Sequence, residues 1–501
     1  MQDKLPEPGH RRVARRVLKP SARLITTIWL VFWSSFAAAF EFKPCALSGG
    51  GGNGNLPAEC AIWQQPLDPS DPDGEQIDLF VAKLKSTAIE PAQDAFTIIN
   101  GGPGGSSVEM MVDLAPVLQA FTRERDVIVI DQRGTGQSSP LICQALTDTT
   151  EVLGPLENEL LTKDCLNKLP HDPKFFTTSV AVEDLESLRV SLGYKQLSVY
   201  GVSYGTRVAL QYMRTYPDST RVVIIDGVVP PHLTLGSNVA LNSQATLDKI
   251  FARCAEQPTC AHSFPNVVDD FARLSKQLKN TPQPLTIQHP ITGEPTDIEV
   301  TYGHLAIWLR LALYAPESTA LIPLIIDQAA NKQNLLPVAA SALRMLHQLN
   351  ASLNYGMHNA VVCTEDTPFY DDANEDFDAL TKTYLGREMY DSLKSMCAIW
   401  PRGVMDTAMK TPLQSDVPTL VLSGEFDPIT PPAYGDAVMP GLSNARHVVA
   451  PGQGHGVIAR GCIPKMILEF VESANVTDID DSCTQYLTSF PFFVDPMGPT
   501  P

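Results

Sequence analysis

The chain has 501 residues, 44% of them hydrophobic and 19% charged, with 56 Asp and Glu against 37 Lys and Arg. That length allows a large buried core and more than one structural unit. A net charge of −19 repels the phosphates of nucleic acid and anionic lipid, so neither is an expected partner.

Residues 1–39 differ from the rest. Arg11, Arg12, Arg15, Arg16, Lys19 and Arg23 precede an apolar run over 24–36, which ends at Ala37-Ala38-Ala39. Basic region, apolar region and A-x-A site in this order read as a secretory signal peptide. The competing reading is an uncleaved anchor, although the run falls short of the ~20 residues that a spanning helix needs. Arg15-Arg16 leaves a twin-arginine route open beside Sec export, and the destination is periplasmic or extracellular. Removal of 1–39 takes away seven Lys/Arg and two Asp/Glu and leaves a net charge of −24. No later stretch is long and apolar enough to span a bilayer, so no stable membrane insertion is expected after removal.

The Gly-rich stretch GGGGNGN between Cys45 and Cys60 predicts a loop closed by a disulfide. No Lys-Ser/Thr follows it, which rules out a P-loop. Alternating polar and apolar residues over Gln76–Leu84, after the turn Pro72-Asp73-Gly74, predict a strand. Short apolar runs over 96–100 and 126–131 read as buried strands of a parallel sheet. Over 179–192, Val182, Leu185, Leu188 and Leu192 recur at helical spacing and Gly193 ends the helix. A strand over 196–200, a helix over 208–216 stopped by Pro217, and a strand over 221–225 follow. The alternation breaks after Pro230-Pro231. Residues 232–415 read as mostly helical with one hairpin near Thr292-Gly293, and a strand over 419–422 resumes the pattern. The expected class is α/β: a mostly parallel central sheet carrying a large, mainly helical insertion. Its parts are a leader 1–39, a core 40–231, a cap 232–415 and the rest of the core 416–501.

All ten cysteines follow residue 39, and an exported chain meets an oxidising compartment. Pairing of sequence neighbours gives Cys45–Cys60, Cys143–Cys165, Cys254–Cys260, Cys363–Cys397 and Cys462–Cys483, although spacing does not prove connectivity. No C-x-x-C or clustered Cys/His pattern points to a metal, and no nucleotide or flavin motif occurs. No cofactor is expected.

Gly201-Val202-Ser203-Tyr204-Gly205 lies between a predicted strand and a predicted helix. This is the setting in which a G-x-S-x-G serine is held on a sharp turn as a nucleophile. Serine needs a base to take its proton. His455, in the Gly-rich loop Gly452-Gln453-Gly454-His455-Gly456, comes late enough to leave room for an acid before it, in the order Ser, acid, His. His447 lies in a strand-like stretch and reads as structural. His232 and His358 sit in or beside the insertion. Asp427 and Glu425, both just after the strand over 419–422, are the candidate acids. The run Asn100-Gly101-Gly102-Pro103-Gly104-Gly105 follows a strand and offers backbone N–H groups to an oxyanion. Gly102, or alternatively Gly101, would supply one donor and Tyr204 the other.

Together NGGPGGSS, DQRGTGQSS and GVSYG, in this order, resemble the proline iminopeptidase branch of the α/β-hydrolase fold. The closer likeness is to its exported tripeptidyl-aminopeptidase-like members, whose C-terminal region SGEFDPITPP, GQGHGV, Cys462 and Cys483 resemble. The likeness covers most of the chain beyond the leader and is weakest in the insertion. It implies an exopeptidase that acts on peptides with a free N-terminus, with Ser203, Asp427 and His455 as triad and a helical cap that limits substrate length. It also implies cap carboxylates for the free amine. In Val362-Cys363-Thr364-Glu365-Asp366 these are Glu365, with Asp366 in reserve. Where proline iminopeptidases carry His before Gly-Gly-Pro, this chain has Asn100, which argues against strict proline specificity. Arg133 is expected to brace the loops near the site. An esterase with the same triad, and a non-catalytic binding protein on the same scaffold, are the competing functions.

Overall fold

The computed structural model describes residues 40–49, 55–147 and 155–499. The expected leader therefore lies outside the described residues, as does most of the Gly-rich loop.

Strands form where apolar runs are too short for helices. Asp94–Ile99 is buried at every position, as a strand must be when covered on both faces. The strands, in chain order, are β1 (Lys43–Leu47), β2 (Leu56–Pro66), β3 (Gln76–Leu84), β4 (Asp94–Ile99), β5 (Val127–Ile130), β6 (Gln196–Val202), β7 (Thr220–Asp226), β8 (Gln283–Gln288), β9 (Pro295–Val300), β10 (Thr419–Gly424) and β11 (Ala445–Ala450). Nine of them make one sheet in the order β1-β2-β3-β5-β4-β6-β7-β10-β11. From β5 to β11 neighbours run parallel. The β1–β2, β2–β3 and β3–β5 pairs are antiparallel. The mostly parallel sheet is as expected. The antiparallel β1–β2 hairpin across the Gly-rich segment is an addition, with Cys45 and Cys60 bonded across it.

Helices cover both faces. Thr178–Leu192 buries Val182, Leu185 and Leu188 and ends on Gly193, whose φ of 75° is left-handed; glycine takes that conformation without a Cβ clash. Tyr204–Thr215 begins four residues earlier than its apolar pattern predicts, directly after Ser203. The reason is tertiary: its first turn packs against the end of β4, where local propensity has little say.

β7 and β10 are neighbours in the sheet, yet residues 227–418 lie between them in sequence. This stretch is mostly helical and contains the β8–β9 hairpin, with Gly293 at its turn. It has its own apolar cluster, built around Leu247, Ile250, Leu305, Trp308, Leu309 and Ile326. The sheet is sandwiched between two further clusters, one on each face. All five cysteine pairs expected from spacing are formed. Among the described residues no helix is long and apolar enough to cross a membrane.

Candidate active site

The C-terminal ends of the parallel strands meet a cavity of about 420 Å³. Ser203 reaches it from the sharp turn between β6 and the helix Tyr204–Thr215. Its φ of 55° and ψ of −124° are unusual for a residue with a side chain, and such strain persists only where the surroundings enforce it. Here they do. Ser203 N–H donates to Asp226 O at 2.9 Å, and Ser203 O accepts from Thr206 N at 2.9 Å and Thr206 Oγ1 at 2.6 Å. The flanking glycines are required by close approach. A Cβ on Gly205 would stand 2.2 Å from Ile99 O, and one on Gly201 2.3 Å from Gly205 O.

His455 faces the same cavity. Its Nδ1 lies 2.8 Å from Asp427 Oδ2, and its backbone N–H donates to Tyr314 O at 2.8 Å. The Tyr314 ring meets the imidazole edge-on at 5.2 Å. Asp427 is buried and held by its own loop: Oδ1 accepts from Ile429 N at 2.9 Å and Thr430 N at 2.8 Å. Thr430 Oγ1 donates to Asp427 Oδ2 at 2.8 Å and sits 3.1 Å from His455 Nδ1. Burial alone would push the imidazole down. The charge and hydrogen bond of Asp427, together with the charge of Asp226, outweigh burial and raise His455 above its ordinary value. Glu425 points elsewhere, accepting from Gly452 N at 2.8 Å. His447 bonds Asp436 and Ser423 within the sheet region.

On the opposite side of Ser203 runs the loop after β4. Gly101 N–H is taken by Asn100 Oδ1 at 2.7 Å. Gly102 N–H and Tyr204 N–H donate to no described residue, and both residues line the cavity. Asn100 Nδ2 also holds Ser106 O at 2.9 Å, so its amide shapes the loop. The insertion clamps the same loop: Asn354 N and Nδ2 both donate to Gly104 O, at 3.0 and 3.2 Å. Arg133 braces as expected, with two bonds of 2.7 Å to Asp184 and others to Leu67 O and Phe175 O.

The expected amine anchor needs correction. Glu365 is fully buried, and its oxygens accept from Thr178 N, Thr178 Oγ1 and Arg207. Thr178 Oγ1 in turn bonds Tyr204 Oη at 2.7 Å. Glu365 therefore braces the helix after Ser203 from the insertion and does not line the cavity. Asp366, one residue on, does line it, and is the one carboxylate among the described lining residues. Burial pushes Asp366 up, but Arg207 at 2.7 Å and Lys410 bring it below its usual range.

Sequence reasoning missed several residues here. Thr430 lies in the quoted SGEFDPITPP motif. Asp226, Arg310, Tyr314 and His358 carried no motif signal.

A family model described as alpha/beta hydrolase fold matches residues 94–287, which contain the Ser203 turn. A second, described as TAP-like protein, matches residues 382–483, which contain Asp427 and His455. The chain is a serine hydrolase of the α/β-hydrolase fold. Among curated relatives of this hydrolase, serine protease Hip1 of Mycobacterium tuberculosis is 24% identical over 465 residues, covering 86% of this chain and 88% of that one. The tripeptidyl aminopeptidase of Streptomyces lividans is 29% identical over 219 residues, 39% of each chain. Carboxylesterase B of Mycobacterium tuberculosis is 24% identical over 458 residues, 82% of this chain and 84% of that one.

Proposed function

We propose that this hydrolase is an exported serine exopeptidase that releases single residues or short peptides from free peptide N-termini. Ser203 Oγ attacks the scissile carbonyl while His455 takes its proton, and Asp427 steadies the resulting imidazolium. Gly102 and Tyr204 N–H groups receive the oxyanion. The tetrahedral adduct collapses as His455 gives the proton to the leaving amine. Water then attacks the acyl-enzyme, with His455 again as base, and frees the acid and Ser203.

The observation that carries the peptidase reading is Asp366. It is an acidic group on the wall of the cavity that Ser203 and His455 share, and it would hold the free ammonium. The segment 232–415 acts as a cap, and a cavity of this size favours a short N-terminal unit. The peptidase names among the relatives support the same reading. Five disulfides fit an oxidising, extracytoplasmic setting. An esterase with the same machinery is the second reading, favoured by the relative named carboxylesterase B.

The test compares the mature protein with Ser203→Ala on chromogenic amides of one, two and three residues, with free or acetylated N-termini. Turnover that needs both Ser203 and the free amine is expected, with a loss of roughly 10³-fold or more in Ser203→Ala. Ser203-dependent ester cleavage without amide cleavage would replace the peptidase reading with the esterase one. Equal rates from both proteins would overturn Ser203 as nucleophile.

A further inference from the structure

Among the described residues the buried arginines are paired. Arg125 meets Asp94, Arg133 meets Asp184 and Arg207 meets Asp366. Arg310, like the half-buried Arg253 and Arg214, has no such partner, and of these three it alone lines the cavity with Ser203. It is half-buried near the end of the helix Tyr302–Ala312 and lines the cavity with Ser203 and His455. No carboxylate among the described residues lies within ion-pair distance of it, and its buried Nε has no hydrogen-bond partner. Withdrawing a guanidinium from water without a counter-ion is costly. A ligand carboxylate would relieve that cost through the two parallel hydrogen bonds that a guanidinium fork offers.

The surroundings show where the guanidinium acts. Burial pushes the hydroxyls of Tyr314, Tyr355 and Tyr384 up and the imidazole of His358 down, and Arg310 pulls all four lower. Tyr314, Tyr355 and His358 line the cavity. Arg310 stands four residues before Tyr314, whose carbonyl and ring contact His455. His358 feels Asp366 and Arg310 with opposite sign. The cavity wall therefore carries a carboxylate already paired with Arg207 and Lys410, and a guanidinium that meets no carboxylate of the described residues. In a protein of net charge −19 an anionic substrate is repelled at long range, so a cation inside the cavity selects at contact.

We propose that Arg310 binds a carboxylate of the substrate and makes the enzyme selective for ligands that carry one. In a peptide the carboxylate is either an acidic side chain or the free C-terminus of a short chain. The peptide form of this ligand rests on the peptidase reading above; the carboxylate site itself does not.

The experiment measures kcat/KM for pairs that differ only in carboxylate against carboxamide. One arm uses tripeptide anilides with Asp or Asn. A second uses short peptides with a free or amidated C-terminus. A third uses p-nitrophenyl esters of succinic acid and of succinamic acid. The acid-to-amide ratio is expected to exceed one in the native enzyme, and the arm in which it does so names the source. A charge-assisted hydrogen bond of ~1.5–3 kcal/mol corresponds to a fall of roughly 10–100-fold in that ratio for Arg310→Gln, with partial recovery in Arg310→Lys. A ratio near one in every arm of the native enzyme, or a ratio unchanged in Arg310→Gln, overturns the proposal. A preference confined to the ester arm, without peptide turnover, keeps the Arg310 site and removes the peptidase reading. Should Arg310→Gln fail to fold, inhibition of the native enzyme by succinate and succinamide decides: stronger inhibition by succinate supports the site, and equal inhibition overturns it.

Discussion

Asp226 shows how a single side chain sets the tone of the site without a place in the proposed triad. It ends β7 fully buried, and its Oδ2 accepts from Tyr200 Oη at 2.9 Å, Val457 N at 2.7 Å and Ile458 N at 2.9 Å. The last two belong to the loop that carries His455, so Asp226 is a positioning residue for the proposed base. Burial pushes its carboxyl up to about 6, against those hydrogen bonds and the charge of His455. Because the Asp226 charge helps raise His455, Asp226→Asn is expected to lower the pKa on the acid limb of kcat/KM. Activity then persists further into acid, which a pH profile reads directly. Stability carries the opposite sign from an ordinary salt-bridged aspartate. A folded-state value above the unfolded ~3.9 contributes stability below about pH 4 that is lost as pH rises through about 6. The urea midpoint of the native protein should therefore fall relative to Asp226→Asn across that window. Asp226→Ala strands two loop N–H groups and is expected to cost ~1–3 kcal/mol. Nothing in the sequence flags this role, because an Asp after an apolar run reads equally well as a strand end.

At the scale of elements, the Ser203 turn explains why so much was legible. The G-x-S-x-G pattern is a packing requirement before it is a motif: the helix Tyr204–Thr215 must start beside the end of β4, and only glycine at 205 lets Ile99 O come so close. Gly205→Ala is expected to cost upwards of 1–3 kcal/mol by urea denaturation, together with most of the activity. Gly193→Ala should cost only about 1 kcal/mol and leave activity intact, because its Cβ meets nothing and the penalty is the left-handed φ alone. Strands read well where both faces are buried, as in Asp94–Ile99. They read poorly in β1 and β2, where an edge hairpin mixes Pro, Glu and Cys with apolar residues. That Asp427 and His455 meet could be anticipated because each sits in a loop of distinctive composition after a strand. Glu365 was misplaced because adjacent carboxylates at the end of the helix Tyr355–Glu365 face different ways, and composition cannot tell which one meets the cavity.

For the whole molecule, the question is what holds the insertion over the sheet. Disulfides do not. Each joins sequence neighbours at most 34 residues apart, and none links 232–415 to the rest. The link is noncovalent and includes the buried Arg207–Asp366 pair, the Glu365–Thr178 bonds, the Asn354 clamp on Gly104 and the C-terminal tail. The tail crosses the His455 loop, where Gln453 Nε2 donates to Thr488 O at 3.2 Å. It then enters the insertion, where Phe493 N–H donates to Ala320 O at 3.1 Å. Phe492, 2% exposed, packs into the insertion's apolar cluster with its ring 4.1 Å from the Arg253 guanidinium. Arg253 also faces Phe426, next to Asp427. Removing the Phe492 ring deletes apolar contact and leaves a cavity that a closed helical cluster fills poorly, which costs about 3–5 kcal/mol. Phe492→Ala should accordingly lower Tm by several degrees, while Phe490→Ala, at 45% exposure, should stay within about 0.5 kcal/mol of the native protein. If Phe492→Ala melts with the native protein, the tail is not part of what seats the insertion, and the remaining contacts, among them the Arg207–Asp366 pair, the Asn354 clamp and the Glu365–Thr178 bonds, hold it.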